Sequence, residues 1–177
     1  VAGYVGQTAI KTDKKINEAI GGVLFIDEAY ALSQPAQSMS NDFGTEVIQV
    51  LIKRMEDRKS EFFLFAAGYP DNMEIFLNSN PGFKSRFDHL LYFEDYNVSE
   101  LSGIFQSMIR KDGYKIDKRA LEELETQIED MYSRRDKYFG NARRMRILAD
   151  QVIRNQNLRA SKASDNVTKT IQIEDII

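Results

Sequence analysis

Two short, uninterrupted apolar runs constrain this chain most. They are Val23-Leu24-Phe25-Ile26 and Phe62-Phe63-Leu64-Phe65-Ala66-Ala67. Both are too short for typical helices and rich in strand-forming residues. Continuous apolar character predicts strands buried on both faces, as in a parallel sheet. Between them, residues 44–57 place Val47, Ile48, Leu51, Ile52 and Met55 on one helical stripe. Ahead of the first run, residues 8–20 carry Ile10, Ile16, Ala19 and Ile20 at helical spacing, and Gly21-Gly22 ends that segment. Strands alternating with helices predict an α/β fold with its site at the C-terminal ends of the strands. Residues 33–43 read as a loop, 71–78 as a short helix and Asn80-Pro81-Gly82 as a turn. His89-Leu90-Leu91-Tyr92-Phe93 reads as a third strand, ended by Glu94-Asp95.

The pattern changes near residue 95. Leu101, Ile104, Phe105, Met108 and Ile109 repeat with helical period, with Asn97 as cap and Glu100 three residues on. Asp117 is placed to cap a second helix with Leu121, Leu124, Ile128 and Met131 inward. A third, over 141–158, carries Met145, Leu148, Ala149, Val152 and Ile153, and residues 168–173 alternate like a short strand. The expected division is an α/β core over 1–94 and a small helical unit over 95–177.

Composition removes several chemistries. The chain has 177 residues and no cysteine, so it holds neither disulfide nor thiol nucleophile. A single histidine, His89, cannot form a multi-histidine metal site and reads as structural. No apolar run approaches the roughly 18 residues that a membrane span requires. The formal net charge is −3, yet residues 134–162 alone carry +7. Such a block either faces phosphate or is a solvated helix face.

The most informative chemistry follows the first strand. Asp27-Glu28 places two adjacent carboxylates at the end of a buried run. In nucleotide-hydrolysing α/β proteins that edge holds phosphates and magnesium. Asp27 would hold the metal or its water, and Glu28 would align and polarise an attacking water. The plainer alternative is a solvated acidic turn.

Val23 to Ala29 resembles the Walker B motif of the AAA+ ATPases. The longer run over 21–32, GGVLFIDEAYAL, resembles the branch with red-type Rubisco activases, stage V sporulation protein K and type VII secretion ATPases. Three further stretches agree in order and spacing. Ala2-Gly3-Tyr4-Val5-Gly6-Gln7-Thr8 resembles the first pore loop, with Tyr4, Val5 and Gly6 gripping an extended polypeptide. Asn80-Pro81-Gly82-Phe83-Lys84-Ser85-Arg86-Phe87 resembles the segment carrying the arginine finger, Arg86. Phe139-Gly140-Asn141-Ala142-Arg143 resembles the start of the lid helix, with Arg143 as sensor 2. Residues 41–44 are a weaker match to a second pore loop. The polar sensor 1 would fall just after the second strand, where Tyr69 and Asn72 are the candidates.

The resemblance implies a partial P-loop NTPase core followed by a helical lid. It implies ATP and magnesium as cofactors of the intact protein, a homo-oligomeric ring that is a hexamer, a protein substrate and a cytoplasmic setting without membrane contact. One element is missing from the sequence. A phosphate loop needs G-x-x-x-x-G-K-[ST], and none of the 10 glycines precedes a lysine. The family carries that loop several tens of residues before the pore loop, so the chain is expected to lack the module's N-terminal third and to be inactive alone. Two other readings compete: a non-catalytic interaction module, and a nucleic-acid remodeller using the basic block.

Overall fold

A computed structural model describes residues 7–33, 43–162 and 168–176. They separate into two compact units, Val1–Leu91 and Tyr92–Ile177.

In the first unit, α1 (Gln7–Glu18) leads into β1 (Val23–Ile26), and α2 (Phe43–Asp57) leads into β2 (Phe63–Ala66). The strands pair in parallel, with Val23 opposite Phe63 and Ile26 opposite Ala66. Short 3-10 turns cover Ala29–Leu32 and Lys84–Arg86, and α3 (Pro70–Asn78) starts with proline in its first turn. There its missing N–H costs nothing.

The core lies on one side of this sheet. Leu24, Ile26, Leu64 and Ala66 pack towards Ile16, Ile48, Leu51, Phe76 and Phe83. The opposite face stays exposed, with Phe25 at 61% and Phe63 at 70%. This corrects the expectation of strands buried on both faces. Side chains alternate along a strand, and the described helices supply apolar partners to one face only. The expected inward stripe of α1 also changes. Thr8 and Ile16 are buried, whereas Ile10 and Ile20 are exposed.

The third strand expected at 89–93 does not form. Residues 87–97 carry neither helix nor strand, and Leu90, Leu91, Tyr92 and Phe93 are exposed. A strand needs a neighbour for its N–H and C=O groups. Among the described residues, β1 and β2 pair only with each other.

The second unit is built from α4 (Val98–Lys111), α5 (Lys118–Ser133) and α6 (Asn141–Lys162). Asn97 Oδ1 accepts from the Glu100 N–H at 3.0 Å, and Glu100 Oε2 accepts from the Asn97 N–H at 2.8 Å. This reciprocal cap fixes the start of α4. Asp117 Oδ1 accepts from the Ala120 N–H at 2.8 Å and starts α5. Leu101, Phe105, Ile109, Leu124, Ile128, Met145, Ala149 and Val152 form one core.

The terminal strand is shorter than expected. β4 (Thr170–Ile171) pairs in parallel with β3 (Lys115–Ile116), a strand the periodicity does not signal, and α7 (Ile173–Ile176) follows. Asp175, 1% exposed, receives two 2.8 Å hydrogen bonds from Arg159 and a third from the Gln172 N–H. Arg159 also donates to the Thr170 carbonyl. One buried ion pair thus ties α6 to the C-terminal segment.

Candidate functional site

Parallel pairing carries the chain past the ends of β1 and β2 in register. Ala67 N–H donates to Ile26 O at 2.9 Å, and Ala29 N–H donates to Ala67 O at 3.0 Å. Residues 27–30 therefore lie beside 67–69 at the strands' C-terminal ends, the edge expected to carry the chemistry.

Asp27 and Glu28 are both exposed there. Asp27 Oδ1 accepts from the Glu28 N–H at 3.0 Å. Glu28 has φ 49° and ψ 42°, in the left-handed region. A residue with a Cβ adopts this at a cost of about 1–2 kcal/mol, and such strain concentrates at functional sites. The kink ends β1 and turns the chain into the Ala29–Leu32 segment, where Ala29 is fully buried.

Tyr30 is the hub of the next shell of contacts. It is half-buried and packs against the segment after β2. Burial, foremost, and then the Glu28 charge hold its phenol above the usual tyrosine value. Its ring centroid lies 6.4 Å from that of Tyr69, tilted by 41°. Gly68 permits this packing, because a Cβ there would stand 2.7 Å from Tyr30 Cδ1 and 2.8 Å from Met73 Sδ. Of the two sensor 1 candidates, Tyr69 packs against Tyr30 and Asn72 lies in the first turn of α3. Neither Tyr30 nor Gly68 was singled out from sequence. The available signal was an aromatic two residues after the acidic pair and outside any core stripe.

Arg86 sits elsewhere in this unit. Its Nη1 donates to Gly82 O at 2.6 Å, and its Nη2 lies 3.5 Å from Glu56 Oε2. Its Nε is buried without an acceptor among the described residues. The turn is anchored by the fully buried Phe83, whose ring meets Phe76 and Phe87 edge-on at 4.9 and 5.2 Å.

Arg143 belongs to the second unit, in the first turn of α6. It is exposed, and no ion pair engages it among the described residues. A cation is disfavoured at a helix N-terminus, where an anion is favoured. The turn before it is held by Asn141, at φ 44°, which donates to Asp95 at 2.7 Å and accepts from the Tyr96 N–H at 3.1 Å. Several other members of the basic block are engaged internally. Arg134 pairs with Asp130 at 2.7 Å, Arg135 with Asp95 at 3.5 Å and over the Tyr132 ring, and Arg159 with Asp175.

Among the described residues no group of three or more His, Cys, Asp or Glu side chains is arranged to hold a metal. A lone exposed carboxylate such as Asp27 suits magnesium, which keeps several waters and takes further oxygens from phosphate. No helix among the described residues is long and apolar enough to cross a membrane. Tyr4, Val5 and Gly6 lie outside the described residues, as do Asn41 and Asp42 of the second pore-loop match.

The fold is an α/β unit with a parallel strand pair followed by a helical unit, and comparison supplies the family. Residues 1–95 match the ATPase family associated with various cellular activities (AAA), and residues 97–177 match the AAA lid domain. The chain belongs to the AAA family. It is 39% identical over 160 residues to Stage V sporulation protein K of Bacillus subtilis (strain 168), covering 90% of the chain and 49% of that protein. It is 39% identical over 161 residues to Protein CfxQ of Xanthobacter flavus, covering 90% and 49%. It is 39% identical over 164 residues to Protein CbbX of Cereibacter sphaeroides, covering 93% and 52%. The chain spans about half the length of these relatives.

Proposed function

We propose that this chain is the Walker B, arginine-finger and lid portion of an AAA+ ATPase that remodels or threads a protein partner through a hexameric ring. The division is a core over 1–94 and a lid over 95–177. Family membership supports ATP and magnesium as cofactors. When bound, magnesium offsets phosphate charge and orients the nucleotide.

The chain's residues take distinct parts. Asp27 offers a carboxylate oxygen to the metal or its water. Glu28 accepts a hydrogen bond from the attacking water and orients it. Asn72 or Tyr69 supplies the polar sensor. Arg86 stabilises developing phosphate charge at a neighbour's site, which requires it to exchange its Glu56 and Gly82 partners for phosphate. Arg143 contacts nucleotide, an anion that would relieve its placement at the helix N-terminus. Tyr4, Val5 and Gly6 contact the protein substrate. The relatives' names, among them a sporulation protein, leave the partner's identity open. A cytoplasmic setting is part of the same proposal. Internal pairing of Arg134, Arg135 and Arg159 supports protein remodelling over nucleic-acid remodelling.

The observation that carries this reading is the Asp27–Glu28 pair at the parallel strands' C-terminal edge, with Glu28 held in a left-handed kink. The test is magnesium-dependent ATP hydrolysis by a chain extended N-terminally through a phosphate loop. Glu28→Gln is expected to slow it by about 100-fold or more while nucleotide still binds. Hydrolysis unchanged by Glu28→Gln would favour the non-catalytic interaction module. The 177-residue chain alone is expected to bind no MgATP, and tight magnesium-dependent binding by it would overturn that part.

A further inference from the structure

The second unit carries opposite charge on opposite sides. We infer that these sides form a docking surface for a second copy of the chain, with the arginine stripe of α6 in one copy seated on the carboxylate stripe of α5 in the next. The inference needs only that copies of the chain meet, and it stands apart from the catalytic reading.

Placement comes first. α4 and α7 each pack against both α5 and α6, whereas contact between α5 and α6 is slight. The two helices thus occupy opposite corners of the unit, and their solvent faces point away from each other. On α5, Ala120, Leu124 and Ile128 are buried, and Glu122, Glu125 and Glu129 lie exposed on the far face. On α6, Met145, Ala149 and Val152 are buried, and Arg146, Ile147 and Arg154 lie exposed on the far face. As a whole α5 carries five carboxylates against two cations, and α6 six cations against one carboxylate.

These charges are not answered within the unit. Among the described residues no ion pair joins α5 to α6, and Arg146, Arg154 and Glu129 enter none. Glu122 has only Lys118, at 3.8 Å and largely solvated. Both helices also set charge against their own dipoles. α5 opens with Lys118 and Arg119, has no acid in its first turn and carries Glu129 and Asp130 towards its C-terminus. α6 opens with Arg143 and Arg144 and no acid. Each arrangement is unfavourable in a helix alone, and opposite charge from a neighbour relieves both. The lengths agree at 1.5 Å per residue: Glu122 to Glu129 spans about 10 Å and Arg146 to Arg154 about 12 Å. Ile147, 57% exposed, lies between the two arginines and offers apolar surface to the glutamate methylenes. Because each copy carries one stripe of each sign on opposite sides, the contact is head-to-tail. It leaves a free stripe at each end, so it either closes into a ring or propagates.

Sedimentation of the 177-residue chain at low and high salt tests this. Self-association is expected at low salt and should weaken as salt screens the stripes. Arg146→Glu with Arg154→Glu, and separately Glu122→Lys with Glu129→Lys, set like charges against like. Each pair is expected to weaken association about 100-fold or more. All four substitutions in one chain exchange the signs and should restore association, as should mixing the two double variants. A parent chain that sediments as a monomer at low salt would overturn the inference. So would association that survives salt and both reversals, which would come from the exposed sheet face. Association lost with the arginine reversals but kept with the glutamate reversals would give the α6 stripe another anion, nucleic acid included, and would overturn the pairing too. Hydrolysis by the N-terminally extended chain and its Glu28→Gln variant reads the catalytic claim separately.

Discussion

The two units solve the burial problem differently. The second closes on itself. Three helices, two of them started by side-chain caps, converge on one core, and even the carboxylate of Asp175 is internal and fully hydrogen-bonded. The first leaves one face of its two-stranded sheet uncovered, with Val23, Phe25, Phe63 and Phe65 outward. Their composition hardly differs in kind, since both alternate apolar stripes with charged surfaces. What differs is where the partners of each apolar residue lie. In the helical unit they lie on the neighbouring described helices. In the sheet unit half the apolar strand positions have none among the described residues.

Aromatic truncations test that contrast most directly. Phe105→Ala removes a fully buried ring between α4 and the other helices. It is expected to cost about 3–5 kcal/mol. Phe25→Ala removes a ring that is 61% exposed and is expected to cost less than about 0.5 kcal/mol. Urea unfolding of both variants of the full chain reads the difference. Equal costs would show that the exposed face is covered in solution, and the contrast would disappear.

The contrast also explains how much was legible in sequence. Asn97 with Glu100 and Asp117 with Ala120 are bonds within four residues, so sequence spacing identifies them. Met145, Ala149 and Val152 face inward because helical periodicity is local. The position of Asp27 and Glu28 at the end of a strand was legible for the same reason, since they are adjacent and directly follow an apolar run. Burial of Phe25 and Phe63 was misjudged because it depends on what lies across the sheet. The strand expected at Leu90-Leu91-Tyr92-Phe93 had the composition of a strand and no described neighbour to pair with. β3 was missed because two residues after Gly113, at φ 81°, carry no periodicity. The Tyr30–Gly68 contact was hidden because it arises only when β1 and β2 pair in the observed register.

Removing one side of the buried ion pair should have the next largest effect. Asp175→Ala strands the Arg159 guanidinium and the Gln172 N–H, both now bonded to that carboxylate. Breaking a buried pair from one side costs about 3 kcal/mol. Because Arg159 keeps 27% of its side chain exposed, solvent recovers part of its hydration, and the loss should fall below that of Phe105→Ala. A shift in urea midpoint confined to the helical unit would support the two-unit picture. Asn97→Ala probes the same unit more gently. It removes one half of the reciprocal cap and should cost about 1 kcal/mol, read as a smaller midpoint shift with no change in slope.

The smallest effect belongs to the sheet unit and depends on pH. Asp13 on α1 meets Arg54 on α2 at 2.5 Å, each about 30% exposed. The Arg54 hydrogen bond, foremost, and its charge hold the Asp13 carboxyl below its ordinary value of 3.8 despite partial desolvation. A carboxyl whose value is depressed in the folded state stabilises that state above its unfolded value. The contribution disappears as pH falls through the lower folded value. The stability difference between the parent chain and Asp13→Asn should therefore be constant from pH 7 to about 4 and shrink below that. Because the pair is partly solvated, added salt should reduce the difference at neutral pH as well. Urea midpoints at pH 7 and pH 3, with and without salt, measure this. A difference that persists undiminished at pH 3 would mean that Asp13 holds α1 against α2 by geometry and not by charge, which would bring the sheet unit closer to the tightly interlocked helical one.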